Sequence, residues 1–143
     1  NGDTQSPEIG LSQVFDRNYV YHVSETLDAK AMQEAAKYLL GEHDFKSFEA
    51  SGGNPRETTV RTIFDAKVFA SEAEAGSTQN IEIHVSGDGF LYNMVRIITG
   101  TLIEIGQGKR EPAEMESIIE AKDRQEAGFT APPNGLYLAE VFY

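Results

Sequence analysis

The segment FLYNMVRIITGTLIEIG, residues 90–106, carries the strongest structural signal in the chain. Its apolar side chains recur at the three- and four-residue spacing of a helix, at Leu91, Met94, Val95, Ile98, Leu102 and Ile105. Arg96, Gly100 and Ile103 lie off that stripe, so the helix is apolar on nearly every side. A helix of this kind is covered on both sides. We therefore predict a helix over 90–106 with one face for its own core and another for a further partner.

Arg96 is the unusual residue of this helix. A guanidinium keeps its charge, and leaving it unpaired in a buried site is costly. The position therefore predicts an anionic partner, either a nearby acid such as Glu104 or Asp88, or a functional group. Gly100, one turn further on, allows another backbone to approach the helix closely.

Composition limits the class of protein. The 143 residues suffice for one domain with a hydrophobic core, and 40% of them are hydrophobic. The 12 Lys and Arg against 23 Asp and Glu give a net charge of −11, which argues against nucleic-acid binding, since phosphate contacts need clustered cations. The chain has no cysteine, no membrane-length apolar run and no signal-peptide pattern at its start, so we expect a cytoplasmic protein without membrane contact.

Residues 1–16 are polar and read as a flexible linker or terminus, which leaves 17–143 as the folded domain. The patterns predict strands over 19–23, 59–71, 81–85 and 136–143, a helix capped by Asp28 and ended by Gly41, the helix over 90–106, and a shorter helix opened by Pro112. The order β-α-β-β-α-α-β indicates an α+β fold, an antiparallel sheet with helices on one face, in the ferredoxin-like arrangement with one added helix.

Few side chains suggest chemistry. His43 and Asp44 form a possible acid/base pair, but a loop anchor with Phe45 and Phe48 in the core is the favoured interpretation. The histidines at 22, 43 and 84 lack metal-ligand spacing, so no metal site is expected.

Three more polar positions have ordinary explanations. Asp88 fits a turn, and the Asp123–Arg124 pair fits a capping or surface ion pair. Arg61 on its strand fits either a phosphate contact or a solvated face, and the sequence leaves these two alternatives open.

Four segments together resemble the C-terminal half of the bacterial tRNA pseudouridine synthase A family. They are LDAKAMQEAAKYLLGEHDFKSF (27–48), VRTI (60–63), FLYNMVRIITGTLIEIGQGK (90–109) and AKDRQEAGFTAPPNGLYLAEVFY (121–143). The combination of MVR, GTL and TAPPNGLYL in this order is specific, and the resemblance covers nearly the whole chain.

The resemblance implies a fold, an activity and partners. Members are built from two ferredoxin-like halves, form homodimers, and isomerise uridine to pseudouridine in the anticodon stem-loop of tRNA without a cofactor. The essential aspartate of the family lies in an N-terminal motif similar to GRTDxGVHA, which this chain does not contain. The family's second motif, with its tyrosine, is expected in that other half too. The implied partners are therefore tRNA, an N-terminal catalytic half and a second copy.

The resemblance also assigns residues. Arg96, in MVR, matches the arginine that pairs with the catalytic aspartate, and Leu136, in GLYL, matches a leucine that packs beside the active site. Arg61 and Asn93 are the candidate RNA-binding residues. On this interpretation the isolated chain is inactive. Two alternatives are a stand-alone ferredoxin-like module that binds RNA or a small ligand, and a structural half that makes only dimer or domain contacts.

Overall fold

The structure, a computed structural model, describes residues 17–52, 58–71 and 79–138. The predicted linker 1–16 and the end of the last predicted strand, 139–143, lie outside these ranges. The strands are β1 (Arg17–Ser24), β2 (Gly41–Asp44), β3 (Val60–Ala70), β4 (Asn80–Gly87) and β5 (Leu136–Leu138). The helices are α1 (Ala29–Ala36), α2 (Met94–Gly106) and α3 (Glu114–Ala121), with short 3₁₀ turns at Lys37–Leu39, Lys46–Phe48, Arg124–Glu126 and Pro133–Gly135.

The five strands form one antiparallel sheet in the order β2-β3-β4-β1-β5. Strand β1 therefore lies between β4 and β5, so the first and last described strands are neighbours. Without β2, the order of elements along the chain is the predicted β-α-β-β-α-α-β. The predicted α+β fold is confirmed.

The core lies between one face of the sheet and the helices. Ile81, Ile83 and Val85 alternate along β4 and are fully buried in it, while Glu82 and His84 between them lie half-exposed on the opposite face. This period of two is what a strand with one covered face requires. All three helices contribute buried side chains to the same core.

Strand β2 is a correction to the sequence analysis, which predicted no strand between the helix ended by Gly41 and residue 59. The 3₁₀ turn ends at Leu39, and Gly41, at φ +94°, is already the first residue of β2, whose residues Gly41–Asp44 pair with β3 from Ile63 back to Val60. A four-residue edge strand is too short to show periodicity. Phe45 and Phe48 after it are fully buried, as the anchor interpretation of His43 and Asp44 predicted.

Helix α2 begins at Met94, four residues later than predicted. Asn93 has φ +59°, a left-handed conformation that cannot continue a right-handed helix. Helix α3 likewise begins at Glu114 and not at Pro112. The cap on α1 is confirmed, because the Asp28 carboxylate accepts a hydrogen bond of 3.1 Å from the amide of Ala31.

Candidate active site

The guanidinium of Arg96 is half-buried, and its two acceptors among the described residues are neutral. Its Nε donates to the carbonyl oxygen of Ala131 at 2.7 Å, and its Nη1 donates to Oδ1 of Asn93 at 3.0 Å. Both acids suggested as partners are engaged elsewhere: Glu104 pairs with Arg110 at 2.7 Å, and Asp88 accepts from the amide of Thr62 at 3.0 Å. Within the described ranges, therefore, no carboxylate pairs with Arg96.

The side chain of Asn93 bonds Arg96 and does not cap helix α2. An asparagine before a helix ordinarily accepts from a backbone amide of the first turn. Here the side chain makes no such bond, and its oxygen serves Arg96 instead. Asn93 has a left-handed backbone conformation, φ +59°, which asparagine tolerates better than most residues.

The second face of α2 is covered by the chain itself. A Cβ on Gly100 would lie 1.8 Å from the carbonyl oxygen of Phe129, and a Cβ on Gly128 would lie 2.8 Å from Cα of Thr101. The close backbone approach predicted at Gly100 is thus confirmed. Segment 128–131 therefore takes the place predicted for a further partner along most of this face, while Arg96 at the start of the helix remains half-exposed.

A cavity of about 240 Å³ opens at this end. Its walls come from β1, the 90–93 turn, the first turn of α2 and the start of β5, and its lining is Tyr19, Phe90, Leu91, Tyr92, Asn93, Val95, Arg96 and Leu136. Tyr19 and Phe90 meet edge to face with ring centroids 5.4 Å apart. Fold and sequence order thus bring three of the four predicted site residues, Arg96, Leu136 and Asn93, into one cavity.

Arg61, the fourth, does not line the cavity. Its Nη1 donates to the carbonyl oxygens of Thr58 and Val60 at 2.9 and 2.7 Å. Its side chain lies beside Gly89, one residue before the cavity wall at Phe90.

Tyr21 does not line the cavity but bonds the segment that holds Arg96. This buried phenol donates a 2.6 Å hydrogen bond to the carbonyl oxygen of Pro132, directly after Ala131. Burial raises the pKa of Tyr21, and the positive charge of Arg96 opposes that shift. The neutral, donating form is therefore the one that the fold favours.

The sequence analysis missed Tyr19 as a site residue, because it expected the site tyrosine in another half of the protein. The available signal was the alternation of YVYHV. It places Tyr19 and Tyr21 on one face of β1, opposite Val85 and Ile83 of β4, and so beneath the helix that carries Arg96.

Other candidate groups lie apart from the cavity. On the open face of the sheet, Glu82 contacts His84 at 2.9 Å and His22 at 3.3 Å. In the described ranges, His, Asp and Glu form no group of three or more suited to hold a metal ion. Asp123 and Arg124 are not paired with each other: the aspartate caps a 3₁₀ turn and the arginine bonds Gly128 and Thr130. Over the same ranges, no helix has the length and apolarity to span a membrane.

Comparison with known proteins identifies the family of this chain. A family model described as tRNA pseudouridine synthase matches residues 35–143. The chain belongs to the tRNA pseudouridine synthase family. It is 54% identical over 133 residues to "tRNA pseudouridine synthase A 2" of Clostridium tetani, covering 93% of this chain and 51% of that protein. It is 49% identical over 127 residues to "tRNA pseudouridine synthase A" of Acetivibrio thermocellus, covering 89% and 49% respectively. The chain thus spans about half the length of the curated relatives it matches.

Proposed function

We propose that this chain is the C-terminal half of a tRNA pseudouridine synthase that isomerises uridine to pseudouridine in the anticodon stem-loop, and that it is inactive by itself. The observation that supports this most directly is that the bonding partners of Arg96 among the described residues are neutral. Its guanidinium is fixed at a cavity by two neutral acceptors and, in the described residues, faces no anion. Such a group is built to receive a carboxylate from elsewhere.

The geometry indicates how that carboxylate would be held. Nε and Nη1 are engaged by Ala131 and Asn93, and no partner in the described ranges occupies Nη2. The remaining N–H groups of the planar fork can grip an aspartate and orient it for attack on the nucleoside. Tyr19, Phe90 and Leu136 give the cavity an apolar wall, which strengthens this charge pairing by excluding water.

The cavity has the size of an incomplete site. Complete small-molecule sites enclose about 300–1,000 Å³, and this cavity encloses about 240 Å³. Among the described strands, β5 lies at one edge of the sheet, next to the cavity, and its Leu138 is 57% exposed. An exposed apolar edge strand favours pairing with a further strand. We propose that the N-terminal half adds there and closes the site.

The tRNA is bound by the assembled protein. A uridine must leave its stack to reach the cavity, and stem-loop RNA offers such bases. With a net charge of −11, this chain supplies few phosphate contacts. The proposed contacts are Arg61 and Asn93, and the main basic surface comes from the N-terminal half and from a second copy in a cytoplasmic homodimer.

A hybrid protein tests the proposal. The part of the Clostridium tetani relative that this chain does not match is joined to this chain, and tritium release from tRNA labelled at uridine C5 is measured. We expect activity from the hybrid, none from the chain alone, and none from the hybrid with Arg96→Ala. Lys109→Ala, an exposed cation remote from the cavity, is the control. Turnover by the chain alone, or full activity of the Arg96→Ala hybrid, would overturn the proposal; tight tRNA binding by an inactive hybrid would favour a binding module.

A further inference from the structure

The segment 128–132 is the element that sets the direction of Arg96. Ala131 exchanges two hydrogen bonds with Arg96: it accepts from Nε at 2.7 Å and its amide donates to the Arg96 carbonyl at 3.0 Å. The position of this backbone carbonyl, together with the Asn93 side chain, therefore sets where the guanidinium points. Residues that fix segment 128–132 act on the site without contacting it.

One end of the segment is docked on helix α2. The amide of Gly128 donates to Oγ1 of Thr101 at 2.9 Å, and the amide of Phe129 donates to Oε2 of Glu104 at 3.2 Å. The Thr101 hydroxyl is fully buried, and the glycines at 100 and 128 bring the two backbones into contact. These bonds hold the amides of 128 and 129. At the other end of the segment, the Ala131 amide is bonded to the Arg96 carbonyl and the Pro132 carbonyl accepts from Tyr21, which leaves Thr130 between the two held ends.

Arg124 connects the end of the segment that packs on α2 to the end that bonds Arg96. Its Nη1 donates to the carbonyl oxygen of Gly128 at 2.8 Å, and its Nη2 donates to Oγ1 of Thr130 at 3.0 Å. The rigid guanidinium of Arg124 thus links Gly128, which packs against helix α2, to Thr130, the residue before Ala131. The half-buried Arg124 does not line the cavity around Arg96.

We propose that Arg124 is a positioning residue: by clamping Gly128 and Thr130 it places the Ala131 carbonyl that orients Arg96. Lysine cannot replace it fully, because an ammonium lacks the planar fork that reaches both acceptors in one geometry. The role in catalysis rests on the proposed function, whereas the effect on the geometry of Arg96 does not.

The first test uses this chain and NMR. In 1H–15N spectra the Nε–H of Arg96, assigned by its loss in Arg96→Lys, should exchange slowly with solvent. We expect Arg124→Ala to abolish this protection, Arg124→Lys to restore part of it, and Thr130→Val to weaken it less because the bond to Gly128 remains. Gln125→Ala, an exposed neighbour in the same turn, should leave it unchanged. Protection at the wild-type level in a folded Arg124→Ala variant would overturn the proposal.

The second test uses the hybrid protein. Misplacing a site group from outside the chemistry costs about 10–100-fold in rate, so Arg124→Ala should lower kcat by about that factor and Arg124→Lys by less, with KM for tRNA within about twofold. If Arg124→Ala and Arg124→Lys lower the thermal stability equally and leave kcat unchanged, Arg124 has only a structural role. That result would overturn its proposed role as a positioning residue. An inactive wild-type hybrid would count against the proposed function, and the NMR result would then still decide the positioning role.

Discussion

Arg96 and Ala131 are joined by a reciprocal pair of hydrogen bonds, 2.7 Å from the side-chain Nε of Arg96 to the Ala131 carbonyl and 3.0 Å from the Ala131 amide to the Arg96 carbonyl. They lie 35 positions apart in the sequence, and the residues between them include the rest of α2 and all of α3. This pairing closes segment 128–132 onto the start of α2, so the arginine that lines the cavity also makes a tertiary contact.

Replacing Arg96 separates its functional role from its structural role. Arg96→Ala removes two hydrogen bonds from a half-buried cation, each worth about 1.5–3 kcal/mol at most when charged groups are involved, and solvent reduces this. We expect the free energy of unfolding of this chain to fall by about 1–2 kcal/mol in urea denaturation, with Arg96→Lys falling less. A loss of about 3–5 kcal/mol, typical of breaking a buried ion pair, would show that Arg96 is a core residue.

The contact between Gly100 and Phe129 is a steric requirement. Gly100→Ala would place a methyl group 1.8 Å from a carbonyl oxygen, so segment 128–132 must move away from α2. Overpacking of this kind costs about 1–3 kcal/mol, and tritium release by the hybrid protein should fall with it. Gly89→Ala is the matched control, since its nearest neighbour, a flexible Arg61 side chain, lies at 3.8 Å. Equal stability of the two variants would contradict this packing.

Tyr21 predicts a loss of stability at high pH. Because its folded-state pKa is raised, the neutral phenol is favoured by folding, so its contribution is fully present below the unfolded-state pKa of about 10 and is lost as pH rises through the higher folded value. Wild type should therefore lose stability above about pH 10 more steeply than Tyr21→Phe. At pH 7, Tyr21→Phe should cost about 0.5–1.5 kcal/mol for the bond to Pro132. Parallel pH profiles would exclude this assignment.

Asn93 combines a backbone role with a side-chain role, and two substitutions separate them. Asn93→Gly accepts the left-handed φ of +59° without strain and loses only the bond to Arg96. Asn93→Ala loses the same bond and adds backbone strain of about 1 kcal/mol. Urea denaturation should rank the glycine variant as the more stable, while both should reduce hybrid activity alike. The opposite rank would show that the left-handed turn does not govern this site.

Some elements were predictable because their signals are local. The alternation in β4 and the 3.6-residue stripe of α2 each follow from neighbouring side chains, and so does the cap at Asp28. Strand β2 was not predictable, since residues 41–44 become a strand only by pairing with β3. The start of α2 was misjudged because the left-handed backbone of Asn93, whose side chain bonds Arg96 three residues on, leaves no mark in the apolar periodicity.

The sequence by itself determined the α+β architecture, the helix that carries Arg96 and the need for a backbone beside Gly100. It also placed Arg96 and Leu136 in one functional group through the family resemblance. Only the tertiary structure decided which backbone fills the groove at Gly100, that Ala131 and Asn93 orient the guanidinium, that Tyr19 enters the cavity, and that Arg124 clamps the segment behind it. The physical reason is range: periodicity and capping act over a few residues, whereas the contacts of Gly100 with Phe129 and of Arg96 with Ala131 join positions distant in sequence. The bonds of Arg96 to Asn93 and of Arg124 to Gly128 and Thr130 are short in sequence, but they lie in turns that carry no periodic pattern.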